Sequence, residues 1–393
     1  MIRTSLIKTA SPALKLTTPR LASSSLRSTS VLSITLGCHV SRQLSTSSIR
    51  PNESIFTSKQ IHSESTKGRG KQELHQASLK EGSPLTQHDA VSTVPVMVRG
   101  DWVLFHPVYS SEELKAVEVL HRNPKTIGDK FAAGLVKFSR TIFDFVSGYK
   151  HNVNPPTPGM TLEELRKAGY LLSEKQWLER ILFLESIAGV PGMVAATLRH
   201  LTSLRLMRRD SGWIHTCLEE AENERMHLMT FMTLRQPSVF FRLMILGAQG
   251  VFYNLFFLSY LISPKICHRF VGYLEEEAVV TYTRCIADLE AGKIPEWTNL
   301  PAPEISIDYW RLNPDAKLLD VLYAVRSDET THRFVNHSLA NLNPATDVNP
   351  FALREPDMHV KGTKIEFKRS ESEDYVQKSH ELMQQRTNEL PPQ

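Results

Sequence analysis

The sequence predicts an all-α fold: a four-helix bundle with additional apolar helices lying along it. Three observations predict this. Between residues 105 and 345 apolar residues recur at helical spacing, with almost no strand alternation. Two Glu-x-x-His motifs, Glu224/His227 and Glu329/His332, fall on long helical stretches. Each of those stretches follows another helical stretch that carries an acid in apolar surroundings, Glu185 in the first case and one of Glu275, Glu276 and Glu277 in the second.

The ends of the chain differ from its middle. Residues 1–50 hold seven Arg or Lys and nineteen Ser or Thr, and no acid occurs before Glu53. That composition predicts a mitochondrial transit peptide over residues 1–44, with processing near the Arg42 side of "SRQLSTSS". Residues 45–104 are polar and aperiodic, which predicts a disordered extension. Residues 346–393 read as a charged, Gln-rich tail outside the folded unit. The formal net charge is +4, and losing the basic leader leaves a near-neutral or slightly acidic protein. No basic patch interleaved with aromatics points to nucleic acid. Cys38, Cys217, Cys267 and Cys285 form no C-x-x-C pair, so neither a disulfide frame nor a zinc ribbon is indicated.

Element by element, the first amphipathic helix covers about 126–149, with Phe131, Leu135, Phe138, Ile142 and Phe145 on its apolar positions. A long helix follows from Ser173 to about Arg208, kinked at "GVPG". The next runs from Gly212 to Pro237, and a strongly apolar one spans 239–262. The last two cover 264–291 and about 315–342.

Residues at i and i+3 share a helical face, so each Glu-x-x-His aims a carboxylate and an imidazole at one point. Two such pairs plus one Glu from each of two other helices are the ligand set of a ferritin-like di-iron carboxylate bundle. With 29 Glu and 15 His, roughly one Glu-x-x-His is expected by chance. A third match, Glu118/His121, lies in a short helix cut off by "RNP" and is read as a decoy. Glu220, Glu222 and Asp288 are read as surface charge. Helix register fits the second pair of helices, but Glu185 and Glu224 lie at unequal distances from their connecting turn, so a tilt or bend is required there.

At these residues the sequence closely resembles the mitochondrial alternative oxidases, cyanide-insensitive ubiquinol oxidases. The resembling blocks are "LES" (184–186), "NERMHLM" (223–229), "LEEEA" (274–278) and "RSDETTHR" (326–333), together with "GVPGMVA", "APEISIDYW" and "VVTYTR". The long N-terminal form resembles the fungal members. The resemblance implies two iron ions held by Glu185, Glu224, His227, Glu275, Glu329 and His332. It further implies a redox role for Tyr282 and a quinol pocket of Arg140, Asp144, Arg180, Leu184, Glu277, Ala278 and Thr281. Asn223, Asp328, Tyr309 and Trp310 match positions that hydrogen-bond the ligands or one another. The implied substrates are ubiquinol and O2, without proton pumping, in a homodimer.

The run 239–262 is long enough to span a bilayer. A single crossing there would put Glu224/His227 and Glu275 on opposite sides, so it must return the chain on the same side. Its apolar surface, with that of the 126–149 helix, is expected to enter one leaflet of the inner membrane from the matrix side. Two other readings of the same acids are a quinone-biosynthesis hydroxylase or desaturase, and a non-catalytic membrane-surface scaffold with internal salt bridges.

Overall fold

The computed structural model describes residues 106, 108–149 and 159–389. The transit-peptide and disordered-extension expectations therefore fall outside the described residues. Among the described residues every regular element is helical, as expected.

The elements are α1 (Ser111–Lys115), α2 (Ile127–Ser147), α3 (Leu162–Lys167), α4 (Glu174–Ala188), α5 (Val190–Leu206) and α6 (Trp213–Leu234). There follow α7 (Val239–Ile262), α8 (Pro264–Glu290), α9 (Glu304–Trp310), α10 (Leu318–Leu339), α11 (Met358–Thr363) and α12 (Arg369–Glu389). The bundle consists of α4–α5, α6, α8 and α10, with α4–α5 packed on α6 and α8 packed on α10. The break at Gly189, with Pro191 just inside α5, is the kink read from "GVPG".

Short side chains let the helices approach. A Cβ on Gly192 would lie 2.5 Å from Cys217 O, and one on Gly272 would lie 2.5 Å from His337 Nδ1. The first contact also settles the register problem. Gly192 sits fourteen residues before α5 ends, yet it faces Cys217 and Ala221, near the start of α6. Helix α5 therefore overhangs α6. The residues between them, 207–212, carry the chain back, with Met207, Ser211 and Gly212 all at positive φ. This doubling-back connection, with the break at Gly189, lets Glu185 and Glu224 meet despite their unequal distances from the turn.

Helix α7 lies along the outside of the bundle against α4, α5 and α8. Its start is fixed by Ser238, whose hydroxyl accepts from Phe241 N. Gln249, a polar break in the apolar run, donates to Ser186 O at 2.6 Å and ties α7 to the end of α4. Because α8 packs back along α7, the chain does return beside the bundle. Helix α2, opened by a Thr126/Asp129 capping box, packs on α8.

Three readings need correction. The folded unit does not stop near 345: Phe351, Phe367 and Tyr375 are buried with Trp213, Phe334 and Leu339. A few well-spaced aromatics suffice to dock a segment that is otherwise polar. Glu118 and His121 are not on a helix, since α1 ends at Lys115. Finally, Glu220 is buried rather than solvated, and it accepts from Asn336 Nδ2 at 2.7 Å.

Candidate metal centre

Six side chains meet in the middle of the bundle. Glu185 comes from α4, Glu224 and His227 from α6, Glu275 from α8, and Glu329 and His332 from α10. They form two overlapping quartets, Glu185–Glu224–His227–Glu329 and Glu224–Glu275–Glu329–His332, each with candidate ligand atoms within 4.8 Å of one another. Glu224 and Glu329 belong to both quartets. Shared carboxylates between two adjacent ligand sets are what two neighbouring cations require.

The polar atoms of this cluster are not satisfied by one another. Glu185 Oε2, both oxygens of Glu224, His227 Nδ1, Glu329 Oε2 and His332 Nδ1 are buried without a hydrogen-bond partner. His227 Nδ1 stands 3.4 Å from Glu185 Oε2 and 3.4 Å from Glu329 Oε1. His332 Nδ1 comes within 2.7 Å of Glu224 Oε1, but not in hydrogen-bonding direction. Buried polar atoms left unpaired are costly. Four carboxylates and two imidazoles aimed into one space are a donor set that fits metal cations and little else. An internal salt-bridge scaffold would place these atoms in hydrogen-bonded pairs, whereas the two imidazoles approach the cluster carboxylates at 2.7–3.5 Å without such bonds.

The electrostatics agree. Burial, reinforced by the Glu224 carboxylate, pushes Glu185 up to about 8. Burial together with Glu329 and Glu224 pushes Glu275 well above the carboxylate range. Burial works against a charged His227, yet Asp328 and the cluster carboxylates outweigh it and raise its pKa. Crowded negative charge takes up protons where a cation would otherwise sit, so metal binding releases protons.

Around this cluster the outer residues take defined places. Asp328 Oδ2 accepts from His227 Nε2 at 3.0 Å, from Asn223 Nδ2 at 2.9 Å and from Trp310 Nε1 at 2.8 Å. Asn223 Nδ2 also reaches Tyr309 OH at 2.9 Å. An ionised aspartate only accepts, so His227 carries its proton on Nε2 and presents Nδ1 to the cluster. Burial disfavours the Asp328 charge, but His106 and His227 hold the carboxyl well below the usual range. Tyr282 is buried, and its hydroxyl donates to Glu185 Oε1. Burial and the Glu185 carboxylate raise its pKa well above the ordinary phenol value.

A second polar group joins side chains of α2, α4 and α8. Arg140 Nε donates to Asp144 at 2.8 Å, and Arg140 Nη1 donates to Glu277 at 3.1 Å and to Thr281 Oγ1 at 3.1 Å. Arg180 Nη2 donates to Asp144 at 2.5 Å. Leu184 and Ala278 are half-buried neighbours in sequence of Glu185 and Glu277. The polar members expected together are thus together.

Sequence reasoning missed His106 and Tyr109, which both reach Asp328, and Glu220 with its partner Asn336. Glu220 had a signal: it stands four residues before Glu224 and so shares its face. His106 and Tyr109 lie in an aperiodic stretch that offers none.

A helical bundle enclosing such a donor set is a metal-binding protein of the carboxylate-bundle class. The alternative oxidase profile matches residues 109–341, more than half of the chain. The mitochondrial alternative oxidase of Cryptococcus neoformans var. grubii is 59% identical over 277 residues, which cover 70% of this chain and 69% of that protein. Those of Emericella nidulans and Aspergillus niger are 57% and 55% identical, over 67% and 65% of this chain and 72% and 70% of their own lengths. The chain belongs to the alternative oxidase family and is an oxidoreductase.

Proposed function

We propose that the protein oxidises ubiquinol with O2 at a centre of two iron ions held by Glu185, Glu224, His227, Glu275, Glu329 and His332. Two quinols supply the four electrons and four protons that convert one O2 to two waters. Iron, when bound, supplies the redox change and the open positions that oxygen chemistry needs.

The protein's residues do the rest. Arg140, Asp144, Arg180, Glu277 and Thr281 orient the quinol hydroxyls, with Leu184 and Ala278 against its ring. Tyr282, next in sequence after Thr281, holds a proton on its hydroxyl in a hydrogen bond to Glu185. That hydrogen bond is the observation that carries the proposal, because it ties a residue adjacent in sequence to Thr281 to one of the proposed iron ligands. Asp328 keeps the His227 proton on Nε2.

The proposed location is the matrix side of the mitochondrial inner membrane, with one leaflet contacted and no crossing, hence no proton pumping. The relatives' names carry the mitochondrial part, and the acid-free leader agrees with it. Apolar exposure supports the leaflet contact: Phe131 is 64% and Phe138 62% exposed on α2, and Phe240 78% on α7. Leu201 and Leu204 are exposed on α5 and support pairing with a second copy.

The test is oxygen uptake by purified, iron-loaded protein in lipid with added quinol and cyanide. Quinone formed at about two per O2 agrees with the four-electron balance. A hydroxylated quinone product, or no uptake, overturns the reading.

A further inference from the structure

We propose that His106 and Tyr109, from the segment preceding α1, are positioning residues for the metal centre, acting through Asp328 on His227. The inference rests on the metal reading above and adds the source of the centre's outer support.

Asp328 is buried, and its two oxygens are held from different sides. Oδ2 takes its donors from within the bundle and from α9, namely His227, Asn223 and Trp310. Oδ1 faces one short stretch far away in sequence: Tyr109 OH donates to it at 2.5 Å, and His106 Nε2 lies 3.0 Å from it. The carboxylate only accepts, so Tyr109 donates, and a proton on His106 Nε2 would face Oδ1 as well. The His106 ring is wedged against the bundle's own ring pair. Its centroid lies 4.4 Å from that of Tyr309 and 6.1 Å from that of Trp310, edge-on to the latter. Tyr109 stands edge-on to His106 at 5.7 Å.

The carboxylate plane is therefore fixed by four hydrogen bonds and the His106 contact, of which one bond and the contact come from this stretch. Without them Oδ1 would be buried and unpaired, and the carboxylate would turn to share the donors on Oδ2. His227 would then lose the straight hydrogen bond that sets its tautomer and ring direction. Residues in such outer positions typically contribute 10–100-fold in metal affinity.

The segment is itself held down from below. Arg333 on α10, one residue after His332, donates to Glu118 O and to Lys361 O, each at 3.1 Å. Arg326 donates to Leu114 O at 2.6 Å. The helix that presents Glu329 and His332 inward thus anchors, from its outer side, the stretch that reaches round to Asp328.

The experiment is ferrous-iron affinity by chelator competition, on the full chain in detergent, with folding checked by far-UV circular dichroism. Tyr109→Phe and His106→Leu should each weaken iron binding several-fold, and the double variant about 10–100-fold. His106→Gln retains a donor and should recover most of the loss at that position. Wild-type affinity in the double variant overturns the inference, as does equal impairment by His106→Leu and His106→Gln, which would assign His106 to packing. Should the double variant not fold, Tyr109→Phe decides alone, because it removes a single oxygen: unchanged affinity overturns the role of Tyr109. Failure of the wild-type protein to bind iron would instead refute the metal reading.

Discussion

Glu275 and Glu276 are adjacent on α8 and both are buried, yet they belong to opposite kinds of cluster. Glu275 faces the group whose oxygens and imidazole nitrogens lack partners. Glu276 faces a group in which charge is matched. Its carboxylate accepts from His337 Nε2 at 2.8 Å and from Arg122 N at 3.0 Å, and lies 3.0 Å from His121 Nδ1. Arg122 and Arg269 in turn meet Asp129 and Glu366 at 2.6–3.1 Å. His337 accepts from Arg269 on Nδ1 at 2.9 Å, so its proton sits on Nε2. Burial of acids and histidines is common to both clusters; only one has arginines of its own. A buried carboxylate therefore indicates metal only where its partners are missing.

Single substitutions should affect the two clusters differently. Glu275→Ala should abolish metal binding and quinol oxidation, because it removes a charged ligand from one quartet. Measured iron per chain should fall to background, with the helical circular dichroism retained. Tyr282→Phe should keep iron and fold while lowering turnover by about 100-fold, the usual scale for a positioned proton-transfer group. Near-normal oxygen uptake would confine this tyrosine to packing.

Arg269→Met attacks the matched cluster. Removing one partner of a buried ion pair costs about 3–5 kcal/mol, so the melting temperature should drop sharply while the folded fraction still binds iron. Loss of iron at unchanged stability would show that the two clusters are not separate.

His268 offers a pH readout. It is held between Tyr260 OH at 3.1 Å and Asn336 Oδ1 at 2.9 Å, and burial pushes it down to about 4. The unfolded chain, near 6.5, then binds more protons than the folded one over that window. Its contribution to stability is complete above pH 6.5 and is lost as pH falls towards 4. Between pH 7 and pH 5 the loss is about 2 kcal/mol, and His268→Gln should lose that much less in urea titrations. The smallest effect is expected at Glu118, which is exposed. Glu118→Gln should change stability by no more than about 0.5 kcal/mol and leave metal content alone.

Why was one cluster legible in the sequence and the other not? The ligand pairs repeat at i and i+3 on long helices, so a one-dimensional spacing reports a three-dimensional face. Glu276, Arg122, Asp129, Arg269 and Glu366 come together only through tertiary packing and share no spacing. Helix α10 shows the same limit. Nearly all of it is buried, including Arg326, Asp328 and Arg333, because α1, α8 and α11 wrap it. Polarity there marks internal bonding rather than solvent. The same confusion led to Glu220 being read as surface. The helices of the bundle fell close to their predicted bounds because apolar periodicity and Gly or Pro breaks are local signals. The tail beyond 345 hid its docking in three aromatics separated by polar residues.

The proposed dinuclear iron site would be formed by the acids and imidazoles of α4, α6, α8 and α10 that lack hydrogen-bond partners. Iron titration of the purified protein, with bound metal counted after removal of excess, tests it most directly. Saturation is expected at about two irons per chain, with release of protons as binding proceeds. Saturation at one or none, or two irons still bound in Glu275→Ala, would contradict it.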